Sequence, residues 1–171
     1  MHKTLRTTLI LGVLAFPAAW AATNFGGNYA PSGAHYRNGF AEPVCTLDRY
    51  TVTCLGTQIG GVGNTDADIS VSISYSGAVT CTNKGGNTVE VKTQNTATSV
   101  PPDQTTTLKN GTLTVEPVTF GGDPQDALER QAVCPNGHWT KDLQGDATVV
   151  SYSYSLTFEG FNQPAITITG P

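Results

Sequence analysis

Histidine is the side chain best suited to moving protons near neutral pH, and this 171-residue chain carries three. His2 stands at the extreme N-terminus, His35 in a Gly- and Asn-rich stretch, and His138 in the run Cys134-Pro-Asn-Gly-His-Trp139. A serine triad needs a histidine within reach of both a nucleophile and an orienting carboxylate. No G-x-S-x-G elbow, H-E-x-x-H helix or phosphate-binding loop accompanies these histidines. The simpler reading of His138 is a loop residue beside a packed Trp139.

Paired carboxylates are the other route to hydrolysis, because glycosidases hold two at a defined separation. Asp66 and Asp68 lie two apart beside the turn Gly60-Gly-Val-Gly-Asn64. With Asn64 they also form the one candidate cation site, built from loop oxygens. The full spacing of a calcium loop is missing, so a solvated acidic turn explains them more simply. Asp123, Asp126 and Glu129 recur every three residues along a short helical segment, where acidic side chains favour the first turns. These residues predict a non-catalytic protein with no cofactor. A secreted hydrolase working through Asp66 and Asp68 is the alternative, as is an exported toxin or inhibitor.

The N-terminus predicts export. His2, Lys3 and Arg6 precede the apolar run Leu9 to Ala15, and Ala19-Trp20-Ala21 fits the small-x-small rule for signal cleavage. The run is well short of the roughly 20 residues that span a bilayer, and no second one follows. Residues 1–21 thus read as a signal peptide and the mature chain as secreted, periplasmic or displayed at the cell surface. Cleavage removes Lys3 and Arg6 from nine basic residues, leaving seven against thirteen acidic ones, a net charge of −6. The remaining Lys and Arg are scattered singly, which argues against nucleic acid and anionic lipid as partners.

Cys45, Cys54, Cys81 and Cys134 form an even set, which in an exported chain implies two disulfides. A hairpin turning near Asp48-Arg49 brings Cys45 to Cys54 and leaves Cys81 for Cys134. A zinc site is the rival, and the C-x-x-C clusters it uses are absent.

The elements that must position these groups are strands. Ile69, Val71, Ile73 and Tyr75 alternate with serines, and so do Tyr152, Tyr154 and Leu156, which places the apolar set on a core face. Ser76-Gly77 and Lys84-Gly-Gly-Asn87 read as turns, and Asn110-Gly111 as a two-residue hairpin loop. A single short helix is expected from Gln125 to Gln131, with Asp123-Pro124 as N-cap and first-turn proline. Residues 22–43, with Phe25, Tyr29, Tyr36 and Phe40 among glycines, read as a flexible leader, or else as a segment that docks on a partner or adds a strand. Residues 44–171 then form one all-β domain. It is expected to be an antiparallel sandwich, immunoglobulin-like in general architecture, with a jelly roll or small barrel as alternative.

The order Gly61-Val-Gly-Asn64, Cys81-Thr-Asn-Lys-Gly-Gly-Asn87, Asn110-Gly111 and Cys134-Pro-Asn-Gly-His-Trp139 resembles an uncharacterised family of small exported bacterial β-rich proteins. The resemblance covers about residues 45 to 160. It implies a bacterial source and a core role for Cys81 and Cys134, and assigns no catalytic residue. Thr88-Val89-Glu90 stands where that family often has Pro-Gly-Gln, so the role of this loop does not carry over. Function is therefore expected from a binding or structural surface. Phe120, His138, Trp139 and Phe161 are the candidate anchors, since rigid aromatics give large contact area at low entropy cost. The expected partner is another surface protein or a glycan.

Overall fold

The computed structural model describes residues 19–99 and 106–171; of the signal peptide expected over residues 1–21, residues 1–18 lie outside the described residues, whereas Trp20 and Ala21 belong to the first strand. The N-terminal half contains β1 (Trp20–Thr23), β2 (His35–Tyr36), β3 (Cys45–Asp48), β4 (Thr51–Cys54), β5 (Thr57–Gly63) and β6 (Ala67–Thr82). It continues with β7 (Thr88–Ser99), β8 (Thr106–Lys109), β9 (Gly111–Val115), β10 (Val118–Gly121), α1 (Gln125–Gln131), β11 (Thr140–Phe158) and β12 (Ile166–Gly170).

The alternation of apolar and hydroxyl side chains runs unusually far in two places. It lies within β6 of 16 residues and the C-terminal half of β11 of 19, both well beyond an ordinary strand. They pair with one another at the centre of a five-stranded antiparallel sheet of order β1-β12-β11-β6-β7. Ile69, Val71, Ile73, Tyr75, Tyr152, Tyr154, Leu156 and Phe158 are all buried on its inner face, as the period of two requires. Serines and threonines occupy the opposite face, where Ser72 and Ser153 hydroxyls bond across the strands at 2.7 Å.

The second layer consists of the sheets β10-β4-β3 and β2-β5-β9-β8. They are two halves of one ladder. Cys54 pairs with Val118 and Thr57 with Val115, so the register is unchanged across the break at Leu55-Gly56 and Glu116-Pro117. Pro117 has no N–H to donate, which interrupts the hydrogen bonding there without shifting the pairing. The layers face each other as an antiparallel sandwich that does not close into a barrel. Each cysteine bridge staples a different part of it. Cys45–Cys54 joins directly opposed residues of the β3–β4 hairpin, and Cys81–Cys134 ties β6 to the segment after α1.

Three expectations need correction. Ser76-Gly77 is not a turn, because β6 runs straight through it. The glycine is needed for close approach: a Cβ on Gly77 would lie 2.7 Å from Leu143 and 2.9 Å from Leu128, where α1 packs onto the sheet. The segment 22–43 is not a flexible leader, and the domain does not begin at residue 44. β1 adds an edge strand beside β12, β2 pairs with β5, Ala30 is 1% exposed, and Phe25 stacks edge-on against Tyr36 at 5.1 Å. Backbone pairing and scattered aromatics hold this segment where no apolar periodicity signals it. The helix occupies the expected residues, with Pro124 rather than Asp123 as N-cap; the Asp123 carboxylate instead accepts the Gln125 N–H at 3.0 Å.

Among the described residues no helix is long and apolar enough to cross a membrane.

Candidate functional site

The expected site residues do not converge. Asp66 is committed to structure: its carboxylate accepts the Ala67 N–H at 2.8 Å and the Thr106 hydroxyl at 3.1 Å, tying the start of β6 to β8. Asp68 stands exposed on the outer face of β6 opposite Thr157, and Asn64 is exposed in the preceding turn. No cluster of three or more metal-ligating side chains occurs among the described residues.

The aromatic candidates also divide. Phe120 is 7% exposed and packs in the core, at the wall of a shallow pocket it shares with Tyr75 and Gly121. Phe161 packs edge-on against Phe158 at 6.4 Å. His138 is exposed and Trp139 half-buried in the loop after Cys134, whose turn is closed by the His138 N–H donating to Asn136. His35 lies on β2, where its Nδ1–H donates to the Gly33 carbonyl at 2.7 Å. Its ring rests on Gly60, at which a Cβ would come within 3.2 Å of the imidazole, so that glycine makes room for the histidine.

A concave site forms instead at one end of the sandwich, from three segments. The tip of the β3–β4 hairpin contributes Arg49 and Tyr50, the β10–α1 connection contributes Gly122 and Asp123, and β11 contributes Gly145 and Asp146. Together they enclose a cleft of about 360 Å³. The β11 residues reach it because the pairing of β11 with β6 slips between Gln144 and Thr148, bulging the strand outward. The expected turn at Asp48-Arg49 is centred one residue later, on Arg49-Tyr50, since Asp48 still pairs with Thr51.

Arg49 is held at φ 50°, a left-handed conformation that costs a non-glycine residue about 1–2 kcal/mol. Its side chain makes two contacts at the surface. Its guanidinium bonds Asp146 at 3.0 Å and lies 5.0 Å from the centre of the Tyr50 ring. The hydrogen bond to Asp146 raises the Arg49 pKa further, so the charge is permanent. Behind it, the Tyr50 carbonyl accepts both the Tyr75 hydroxyl at 3.1 Å and the Gly122 N–H at 3.0 Å. A stapled hairpin thus presents an exposed cation and an aromatic ring in a cleft rimmed by Asp48, Asp123 and Asp146.

Sequence reasoning missed this site. Arg49 reads as a turn residue, but nothing local shows that it forms an ion pair with a residue 97 positions away.

A second polar network secures the N-terminal segment. Thr23 donates to the Glu42 carboxylate and accepts from Tyr36 at 2.6 Å. Burial pushes the Tyr36 hydroxyl up to about 12, and burial also raises Tyr154 above its ordinary range.

Compared with models of known protein families the chain matches none, and it matches no curated protein.

Proposed function

We propose that the protein is an exported, non-catalytic binding module whose ligand site is the cleft between the β3–β4 hairpin, the β10–α1 connection and the β11 bulge. The observation that carries this reading is Arg49, kept in an unfavourable backbone conformation on a disulfide-stapled hairpin with its charge directed at Asp146 and Tyr50. Strain of this kind persists where the surroundings enforce it, and it marks functional positions. Arginine and tyrosine are also, with tryptophan, the side chains enriched at binding hot spots.

The cleft suits a partner that brings hydroxyl or cationic groups to the rim carboxylates and a polar or π surface to Tyr50, which describes a glycan or a polar protein loop. Two disulfides and the signal-like N-terminus support action outside the reducing cytoplasm. The motif resemblance supports a bacterial origin.

The test is retention of the labelled protein on a glycan array and on the surface of producing cells, compared with Arg49→Ala and Asp146→Asn. Both exposed variants should keep the wild-type melting temperature and lose retention. Undiminished retention by both would remove the cleft from the function. Turnover in a glycan, ester and peptide substrate screen that vanishes in folded Asp66→Asn or Asp68→Asn protein would replace the binding reading with a hydrolase.

A further inference from the structure

β7 is the outer strand of the five-stranded sheet, and it is a long one. Its pairing with β6 runs without interruption from Thr82↔Thr88 to Val71↔Ser99, with neither bulge nor proline to blunt the edge. Such an edge is a template for another strand, and natural proteins disguise it unless they use it.

The direction of its free backbone groups follows from the hairpin. The Asn83 N–H donates to the Asn87 carbonyl, so this pair is hydrogen-bonded, and alternate pairs beyond it repeat the pattern. Val89, Val91 and Thr93 therefore spend their N–H and C=O groups on β6. Glu90, Lys92 and Gln94 direct theirs outward.

The charges on this edge select a partner. Glu90 and Lys92 are exposed and stand opposite Thr80 and Ala78, and neither forms an ion pair among the described residues. A second β7 running antiparallel must place outward-directed residues opposite one another. Centred on Glu90, that pairing sets glutamate against glutamate; centred on Lys92, it sets lysine against lysine. Centred on Val91, it sets Glu90 of each chain opposite Lys92 of the other, twice. Opposite charges directly across a ladder stabilise it and like charges destabilise it. The same register brings Val91 against its own copy on the inner side and covers Val89, which is 43% exposed in the single chain.

We propose that the protein forms a two-fold symmetric dimer through antiparallel pairing of β7 with β7 of a second copy, centred on Val91 and selected by reciprocal Glu90–Lys92 pairs. The two five-stranded sheets then continue as one. The interface is isologous, as a closed dimer requires, and it leaves the Arg49 cleft untouched, so it stands independently of the binding function.

Sedimentation equilibrium of the full chain measures it. Wild-type protein should reach a dimer. Lys92→Glu should weaken association at least tenfold by facing Glu90 with a second carboxylate. The double exchange Glu90→Lys with Lys92→Glu should restore it, and both variants should keep the wild-type circular dichroism because the positions are exposed. Val91→Cys should cross-link into a disulfide dimer in air, since paired residues on the axis come within bonding range, while Val89→Cys should not. A monomer at high concentration, or a dimer indifferent to Lys92→Glu with no cross-link at Val91→Cys, would overturn the proposal.

Discussion

The Tyr75 hydroxyl donates to the backbone carbonyl of Tyr50 at 3.1 Å, and the two rings meet nearly at right angles with centres 6.2 Å apart. This contact fastens the tip of the β3–β4 hairpin to the middle of the longest buried strand pair, and so fixes where Arg49 can point. Tyr75→Phe keeps the ring packing and removes one of two donors to that carbonyl. We expect a loss of about 1 kcal/mol in urea unfolding, together with a larger fractional loss of cleft binding than of stability. Unchanged binding would separate the hairpin anchor from the site.

Gly121 offers a sharper test of the same junction. It sits at φ 96°, and a Cβ there would fall against the Tyr50 carbonyl oxygen, which is backbone and cannot yield. Gly121→Ala should cost about 2–4 kcal/mol, combining left-handed strain with steric displacement. Gly137→Ala, in open space without a left-handed φ, should stay within about 0.5 kcal/mol. Similar melting temperatures for the two variants would show that the hairpin does not pack as described.

The two disulfides should contribute unequally. They close sequence separations of 9 and 53 residues, for which chain entropy gives about 3 and about 4 kcal/mol. Cys81→Ala/Cys134→Ala should therefore lower the melting temperature more than Cys45→Ala/Cys54→Ala. The wild-type protein should show no thiol when denatured and labelled.

Ile73 and Ser72 are neighbours on opposite faces of β6. Ile73 is 2% exposed in the core, so Ile73→Asp should abolish accumulation of folded protein by burying an unpaired charge. Ser72→Asp gives up one hydroxyl pair with Ser153 on the open face and should cost about 1 kcal/mol. Equal tolerance would refute the face assignment.

Alkaline unfolding should report on Tyr36. Its folded pKa is raised from 10.0 to about 12, so between those values the unfolded chain has released a proton that the folded chain retains. Stability is then complete below pH 10 and falls as pH rises toward 12. Tyr36→Phe should make denaturant midpoints less sensitive to pH in this window. An identical pH dependence in the variant would place the loss elsewhere.

Deleting Ala22 to Glu42 should destabilise the domain by several kcal/mol, because Ala30, Phe25 and Tyr36 pack on the core and β1 and β2 carry backbone pairing. A melting temperature unaffected by the deletion would restore the segment to the status of a loose arm.

The residues by themselves determined whatever depends on short-range pattern. Alternation placed Ile69 to Tyr75 and Tyr152 to Phe158 on a core face, because successive strand side chains point to opposite sides whatever the sheet order. Asn110-Gly111 specified its turn: both residues adopt the positive φ that such a loop demands. Proximity along a hairpin selected Cys45 for Cys54. Tertiary structure decided the rest. Gly77 has the composition of a turn, yet it became a close-approach point inside a strand because α1 and Leu143 lie over it. The segment 22–43 has no periodicity, since it is held by edge pairing rather than by an apolar face of its own. The cleft joins Arg49 to Asp146, 97 residues apart, and β7 stands at a sheet edge only because the order of the described strands leaves it outermost. Long-range pairing is chosen by the packing of whole layers, and no local stretch of sequence encodes which elements will meet there.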